Sequence, residues 1–208
     1  IVDSGKFDWT GYPEKFAGLC TPDESYHGVV YTERFGVEGA YITKATVQLM
    51  RDLGVTPSPM SAYLLNLGLE SLHIRMQRHC ENAEKIARFL EADERISWVN
   101  YPSLESSTDY LLAKKYMSNG TCGVISFGVK GGRSAASKFM ESLNLIQIET
   151  HVADVKSCCL HPATTTHRQM NDEELALAGV PADLIRLSVG IEDADDLIND
   201  ITNALSFC

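Results

Sequence analysis

Apolar positions change their period twice along the chain, near residue 40 and again near residue 95. Before residue 40 no period is sustained. The stretch is rich in Gly, Pro and aromatic residues, as in Trp9-Thr10-Gly11-Tyr12-Pro13 and Ser25-Tyr26-His27-Gly28, and reads as irregular. A loop of that length in a compact domain is usually functional or part of an interface. Over 40–53, Ala45, Leu49, Met50 and Leu53 share one helical stripe and Gly54 supplies a stop. Thr56-Pro57-Ser58-Pro59 then opens a long helix to about Leu90, with Ser58 able to cap and Pro59 suited to the first helical position. Its first half (Met60, Tyr63, Leu64, Leu65, Leu67, Leu69, Leu72) is apolar nearly all round, which predicts burial. Its second half is amphipathic. At about 1.5 Å per residue such a helix runs roughly 45–50 Å, long enough to bridge two domains.

Beyond residue 95 the pattern predicts strands at 97–101, 124–129, 145–148, 157–160 and 185–191, among helices at 106–117, 132–143, 171–178 and 193–206. Asn171 and Glu174 have capping-box spacing, Gly179 closes that helix, and the last helix buries Leu197, Ile198, Ile201 and Leu205. The expected architecture is α/β: residues 1–93 as one unit ending in the bridging helix, and 94–208 as an α+β domain with a small, mostly antiparallel sheet and helices on one face.

Composition narrows the function. Eighteen basic against 28 acidic residues give a net charge of −10, which argues against a broad nucleic-acid footprint but leaves room for a small anionic ligand. No apolar run approaches the roughly 20 residues that span a bilayer, and Ile1-Val2-Asp3-Ser4-Gly5 is no signal peptide. The six cysteines form no Cys-x-x-Cys pair, which favours reduced thiols and a cytoplasmic location, with Cys158-Cys159 packed in the core. No initiator Met is present and Ile1-Val2 reads as the end of a strand, so the chain is expected to be a piece of a longer protein.

Three places can carry chemistry. In Ile185-Arg186-Leu187-Ser188-Val189-Gly190-Ile191, two-residue alternation puts Arg186, Ser188 and Gly190 on one face and the aliphatic residues on the other. A mid-strand guanidinium needs a partner. Either it anchors a ligand carboxylate through its fork of donors, or it forms an internal salt bridge. His161-Pro162-Ala163-Thr164-Thr165-Thr166-His167 follows an apolar strand and reads either as a ligand-orienting turn or as a plain cap for the helix at 171. His151 lies at another strand end, and a lone His there is more often a polar neighbour than a catalyst. His73 and His79, on the long helix, read as structural or surface residues.

These strings, together with Ile1–Trp9, Ser25-Tyr26-His27-Gly28, Thr56–Pro59, Gly68-Leu69-Glu70-Ser71-Leu72 with Arg75-Met76, and Arg186–Glu192, occur in an order that resembles the C-terminal half of the Cys/Met-metabolism family of fold-type I pyridoxal-phosphate enzymes. The aromatic stretch at 6–36 resembles its O-acetylhomoserine sulfhydrylase branch more than the cystathionine synthases and lyases. The resemblance implies replacement of acetate on O-acetyl-L-homoserine by sulfide or methanethiol, giving homocysteine or methionine. Pyridoxal 5'-phosphate would be the cofactor, the partners would be the protein's own N-terminal half and further copies in a tetramer, and neither nucleic acid nor membrane would be bound. It assigns Arg186 to the substrate carboxylate, with the His151 side chain and the Val152 backbone beside it, and Thr166 to the substrate end of the pocket. His151 departs from the usual small Ser or Asn, and Ala153 from the usual Gly. The Schiff-base lysine is expected upstream of Ile1, so no catalytic residue is expected within the chain. The alternatives are a non-catalytic domain that binds an amino acid or a partner through the same pocket and, within the family, a methionine γ-lyase or a cystathionine γ-synthase.

Overall fold

The computed structural model describes residues 2–208; Ile1 lies outside the described residues, and Val2 belongs to no strand. The chain divides into two compact units, 1–67 and 68–208. The division falls inside the expected long helix, ahead of residue 93.

The first unit is helical. A short α1 (Ala17–Cys20) precedes α2 (Tyr31–Lys44), a π-helical turn at Ala45–Met50 and α3 (Arg51–Leu53), which Gly54 ends in a left-handed conformation (φ 64°). The expectation of irregular chain up to residue 40 is corrected here, since α1 forms at Ala17–Cys20 and α2 begins at Tyr31. Gly36 breaks α2 internally with φ 67° and ψ 179°, so its two parts follow different axes and no common apolar stripe is legible in the sequence. Around Leu19, Tyr31 and Ala40 pack Trp9, Tyr26 and Phe35.

The long helix exists as two segments, α4 (Pro59–Glu70) and α5 (Leu72–Ala92), separated at Ser71 (φ −105°, ψ 3°). Ser58 caps α4 by accepting the Ser61 amide at 3.1 Å. At the break, Arg75 Nη2 donates to the Gly68 carbonyl at 2.5 Å, which satisfies a group the interrupted helix would otherwise strand. The expected burial of the first segment is corrected as well: Met60, Tyr63, Leu64, Leu65, Leu67 and Leu69 are all exposed. A helix apolar on every side needs neighbours on every side to be buried, and among the described residues these side chains stay largely in solvent.

The second unit joins α5 to a five-stranded sheet: β1 (Ile96–Asn100), β2 (Val124–Val129), β3 (Gln147–Ile148), β4 (Cys158–Leu160) and β5 (Leu184–Ser188). The order is β1-β2-β5-β4-β3, antiparallel except for the β3/β4 pair. Helices α6 (Tyr110–Tyr116), α7 (Gly132–Glu141) and α8 (Asp172–Leu177) lie in the connections between strands, and α9 (Ala194–Leu205) follows β5. The inward residues Ile125, Phe127, Ile185 and Leu187 pack with Ile86 and Leu90 of α5, Phe139 of α7, and Leu197 and Ile201 of α9. Three helices thus cover one face, as alternation predicts. At roughly 1.5–3 kcal/mol per fully buried aliphatic or aromatic side chain, this cluster is the main source of cohesion in the unit. The expected capping box at α8 is present, with Asn171 and Glu174 bonded reciprocally at 2.9 Å.

Candidate functional site

The face of the sheet away from α5, α7 and α9 carries Arg186. Register places it opposite Ser126 on β2 and Leu160 on β4. Its Nη2 donates to the Thr150 carbonyl at 2.7 Å and lies 3.4 Å from the His151 carbonyl. Its Nε is buried without a hydrogen-bond partner. Among the described residues no carboxylate oxygen lies within 4 Å of the guanidinium. The internal salt bridge that the sequence left open is therefore not formed. Carbonyl dipoles alone hold this cation, and it retains donors for an anion.

The loop from 149 to 157 supplies those carbonyls. His151 is exposed, with Nδ1 3.8 Å from Glu149 and Nε2 3.7 Å from Asp154, so its ring sits between two acids and is not turned onto the guanidinium. Val152 is exposed. Ala153 has φ 66°, a left-handed conformation that its Cβ disfavours. Its amide donates to Ser188 Oγ at 3.0 Å. The Cys158 thiol donates to the His151 carbonyl at 3.4 Å, and burial pushes that thiol's pKa up, which keeps the donor protonated. Both cysteines of the pair are buried, as the sequence suggested. Just beyond β5, a Cβ at Gly190 would lie 2.4 Å from the Val155 carbonyl and 2.6 Å from the Ser157 amide, so only glycine lets the loop pass so close.

The Thr-rich turn follows β4. His161 is fully buried, bonded through Nε2 to the Ala182 carbonyl (2.9 Å) and through Nδ1 to Thr164 (3.0 Å). Burial pushes its pKa down, so it serves as a neutral brace. Arg133 of α7 donates to the Ala163 carbonyl at 2.7 Å and pairs with Asp172. Thr166 is exposed, and its hydroxyl meets His167 Nδ1 at 2.9 Å; no hydrogen bond joins it to Arg186. The structure therefore brings Arg186 together with the His151 backbone, and leaves the Val152 amide and Thr166 unlinked to it. Sequence reading missed Thr150 and Arg133 altogether, and gave Ser188 and Cys158 no role at the loop. Only Ser188 carried a usable signal, as it shares the face of Arg186 at a spacing of two.

A family model described as Cys/Met metabolism PLP-dependent enzyme matches residues 25–206. The chain belongs to that family. Homocysteine synthase of Schizosaccharomyces pombe is 46% identical over 205 residues, covering 99% of this chain and 48% of the relative. O-acetyl-L-homoserine sulfhydrylase of Leptospira meyeri is 43% identical over 213 residues, with coverages of 99% and 48%. Among solved structures, a putative O-acetylhomoserine (thiol)-lyase from Campylobacter jejuni, which contains a pyridoxyl-lysine phosphate, superposes with a TM-score of 0.80 at 38% identity, covering 93% of this chain and 45% of that one. The chain spans about half the length of the relatives it matches.

Family members depend on pyridoxal phosphate, which needs a lysine as its point of attachment. The described residues do not build such a place. Lys44 Nζ is ion-paired to Asp23 at 2.7 Å and lies over the Tyr31 ring, and every other lysine is exposed on the surface. What the chain does present is a cation suited to an anion.

Proposed function

We propose that the protein is a pyridoxal-phosphate-dependent O-acetylhomoserine sulfhydrylase and that this chain carries the part that holds the substrate's α-carboxylate. The observation that carries the reading is Arg186: a mid-strand guanidinium without a carboxylate partner, one nitrogen buried and unbonded, on the sheet face away from α5, α7 and α9. The names of the relatives, all covered for about half their length, support the reaction class. In that reaction acetate leaves the γ-carbon and sulfide or methanethiol takes its place. The bound cofactor supplies the electron sink, while Arg186 fixes one end of the substrate and so orients the γ-carbon. The Val152 backbone, the His151 side chain and Thr166 are the further residues assigned to substrate. The remainder of a longer protein supplies the cofactor site, and a cytoplasmic homo-oligomer is the expected working form. No described helix is long and apolar enough to cross a membrane.

The test is Arg186→Ala in the full-length protein. A charge-assisted hydrogen-bond pair contributes about 1.5–3 kcal/mol, so KM for O-acetylhomoserine should rise up to about 100-fold while the absorbance of the bound cofactor stays unchanged. Loss of cofactor absorbance along with activity would make the residue structural. Methionine cleavage or use of cystathionine precursors in preference to sulfide would move the assignment elsewhere in the family. The 208-residue chain alone, mixed with pyridoxal phosphate, O-acetylhomoserine and sulfide, should be inactive.

A further inference from the structure

The loop beside Arg186 is pinned to the sheet at three points, and all three pins come from adjacent strands on the same face. Arg186 on β5 donates to the Thr150 carbonyl. Cys158 on β4 donates to the His151 carbonyl. Ser188 on β5, itself directly opposite Cys158 in the ladder, accepts the Ala153 amide. Two of these pins involve carbonyls that touch or approach the guanidinium. The third holds a residue whose backbone would not choose its conformation unaided, since Ala153 sits at φ 66° although the position is exposed and no packing forces it there. A buried hydroxyl with one amide aimed at it is the restraint that can account for that turn: Ser188 is only 2% exposed, and the amide bond is the tie between its side chain and the loop backbone.

We propose that Ser188 is a positioning residue for the substrate carboxylate: by accepting the Ala153 amide it holds the loop at 150–153 in the turn that keeps the Thr150 and His151 carbonyls on Arg186 Nη2. The consequence for binding is geometric. With Nη2 held by the protein, the guanidinium plane is fixed before substrate arrives, and Nη1, which makes no hydrogen bond among the described residues, is the edge presented to an incoming carboxylate. A long side chain that is already oriented loses less freedom when it binds. If the turn relaxes, the carbonyls withdraw, Nη2 is released, and the arginine must be ordered by the substrate itself. Ser188 thus acts on substrate through Arg186. This inference rests on the carboxylate reading of Arg186 given above.

The experiment is steady-state kinetics of the full-length protein with O-acetylhomoserine and sulfide, using Ser188→Ala, Ala153→Gly, the double variant, and Ala153→Val, with Arg186→Ala as the reference. Ser188→Ala should raise KM about tenfold with kcat within about twofold of the parent. Ala153→Gly alone is the reference for the double variant, because glycine adopts the left-handed turn without strain. In the double variant the KM rise should shrink to about threefold or less, since the turn no longer needs the hydroxyl to hold it. Ala153→Val disturbs the turn from an exposed position that leaves the core intact, so it tests the same point if Ser188→Ala does not fold; it too should raise KM about tenfold. A raised KM in Arg186→Ala with unchanged KM in both Ser188→Ala and Ala153→Val overturns the inference alone. A Ser188→Ala defect that Ala153→Gly does not reduce also overturns it, because the hydroxyl would then be acting as core packing. An unchanged KM in Arg186→Ala overturns the carboxylate reading and this inference with it.

Discussion

Two cations, one in each unit, sit in partly buried surroundings and are treated in opposite ways. Lys44 of α2 has a carboxylate at 2.7 Å, the Tyr31 ring at 4.7 Å, and a cluster in which Gln48 and Ser25 also reach Asp23 or each other. Arg186 of β5 has carbonyl oxygens and a buried, unbonded nitrogen. The first is electrostatically complete. The second is held in place without being neutralised, an arrangement a protein retains where an external anion completes it. The comparison yields a separation of effects. Arg186→Ala should raise KM up to about 100-fold with little change in thermal stability, whereas Lys44→Met should lower the melting temperature and leave KM within about twofold. If the two variants exchange these phenotypes, the distinction between a completed and an open cation fails.

Arg186→Lys sharpens the same contrast at a smaller scale. Lysine keeps the charge but loses the planar fork, so it cannot hold the Thr150 carbonyl and a carboxylate with fixed relative geometry. KM should rise roughly tenfold, between the parent and the alanine variant. A lysine variant equal to the parent would mean that charge alone is read at this position.

How far the sequence carried this picture depends on the distance over which each feature is encoded. Strand β2 was legible to the residue, because Val124–Val129 alternates within itself. The α8 capping box was legible because Asn171 and Glu174 are three positions apart. The placement of Arg186 on the face away from α5, α7 and α9 followed from period two. What was not legible depends on partners remote in sequence. The loop pins join residue 153 to 188 and residue 150 to 186, and no local pattern announces them. Helix α2 was hidden by the single left-handed Gly36. The apolar run of α4 was read correctly as a pattern and incorrectly as buried, since burial depends on packing neighbours that a local pattern does not encode, and these side chains are exposed. Thr166 came from the family resemblance, and the fold neither joins it to Arg186 nor gives it another ligand-directed contact.

Acid gives the next test, confined to the Lys44 side. The Asp23 carboxyl is held down from 3.8 to about 2, chiefly by its hydrogen bond from Lys44 and then by the Ser25 hydroxyl, against the opposing push of desolvation. A carboxyl lowered in the folded state contributes stability that is present above its ordinary value and is lost as pH falls toward the folded one. Unfolding by urea should therefore show a midpoint that drops between pH 4 and pH 2, and Asp23→Asn should flatten that drop. The midpoints of parent and variant should converge as pH approaches 2. Arg186, with no carboxylate partner, should contribute nothing to this window; a slope that depends on Arg186 would reveal a hidden acidic partner and break the comparison.

Arg133 supplies the intermediate case and the smallest expected effect. Its guanidinium is divided between one carbonyl, Ala163, and one carboxylate, Asp172, at the start of α8. Both ends of the ion pair are substantially exposed, so water and salt screen it, and exposed pairs contribute no more than about 1 kcal/mol. The carbonyl bond is the part that matters to the site, because it ties α7 to the turn that carries Thr166. Arg133→Gln should lower stability by less than about 1 kcal/mol, and the difference should shrink further in molar salt, which urea midpoints at low and high salt would show. If Thr166 lines the substrate pocket, the looser turn should also raise KM by about two- to threefold, and glutamine should do less harm than alanine because its amide can still donate to the Ala163 carbonyl. Equal KM values in the parent, Gln and Ala variants would detach the Thr-rich turn from substrate and leave the binding face to Arg186 and the loop at 150–153.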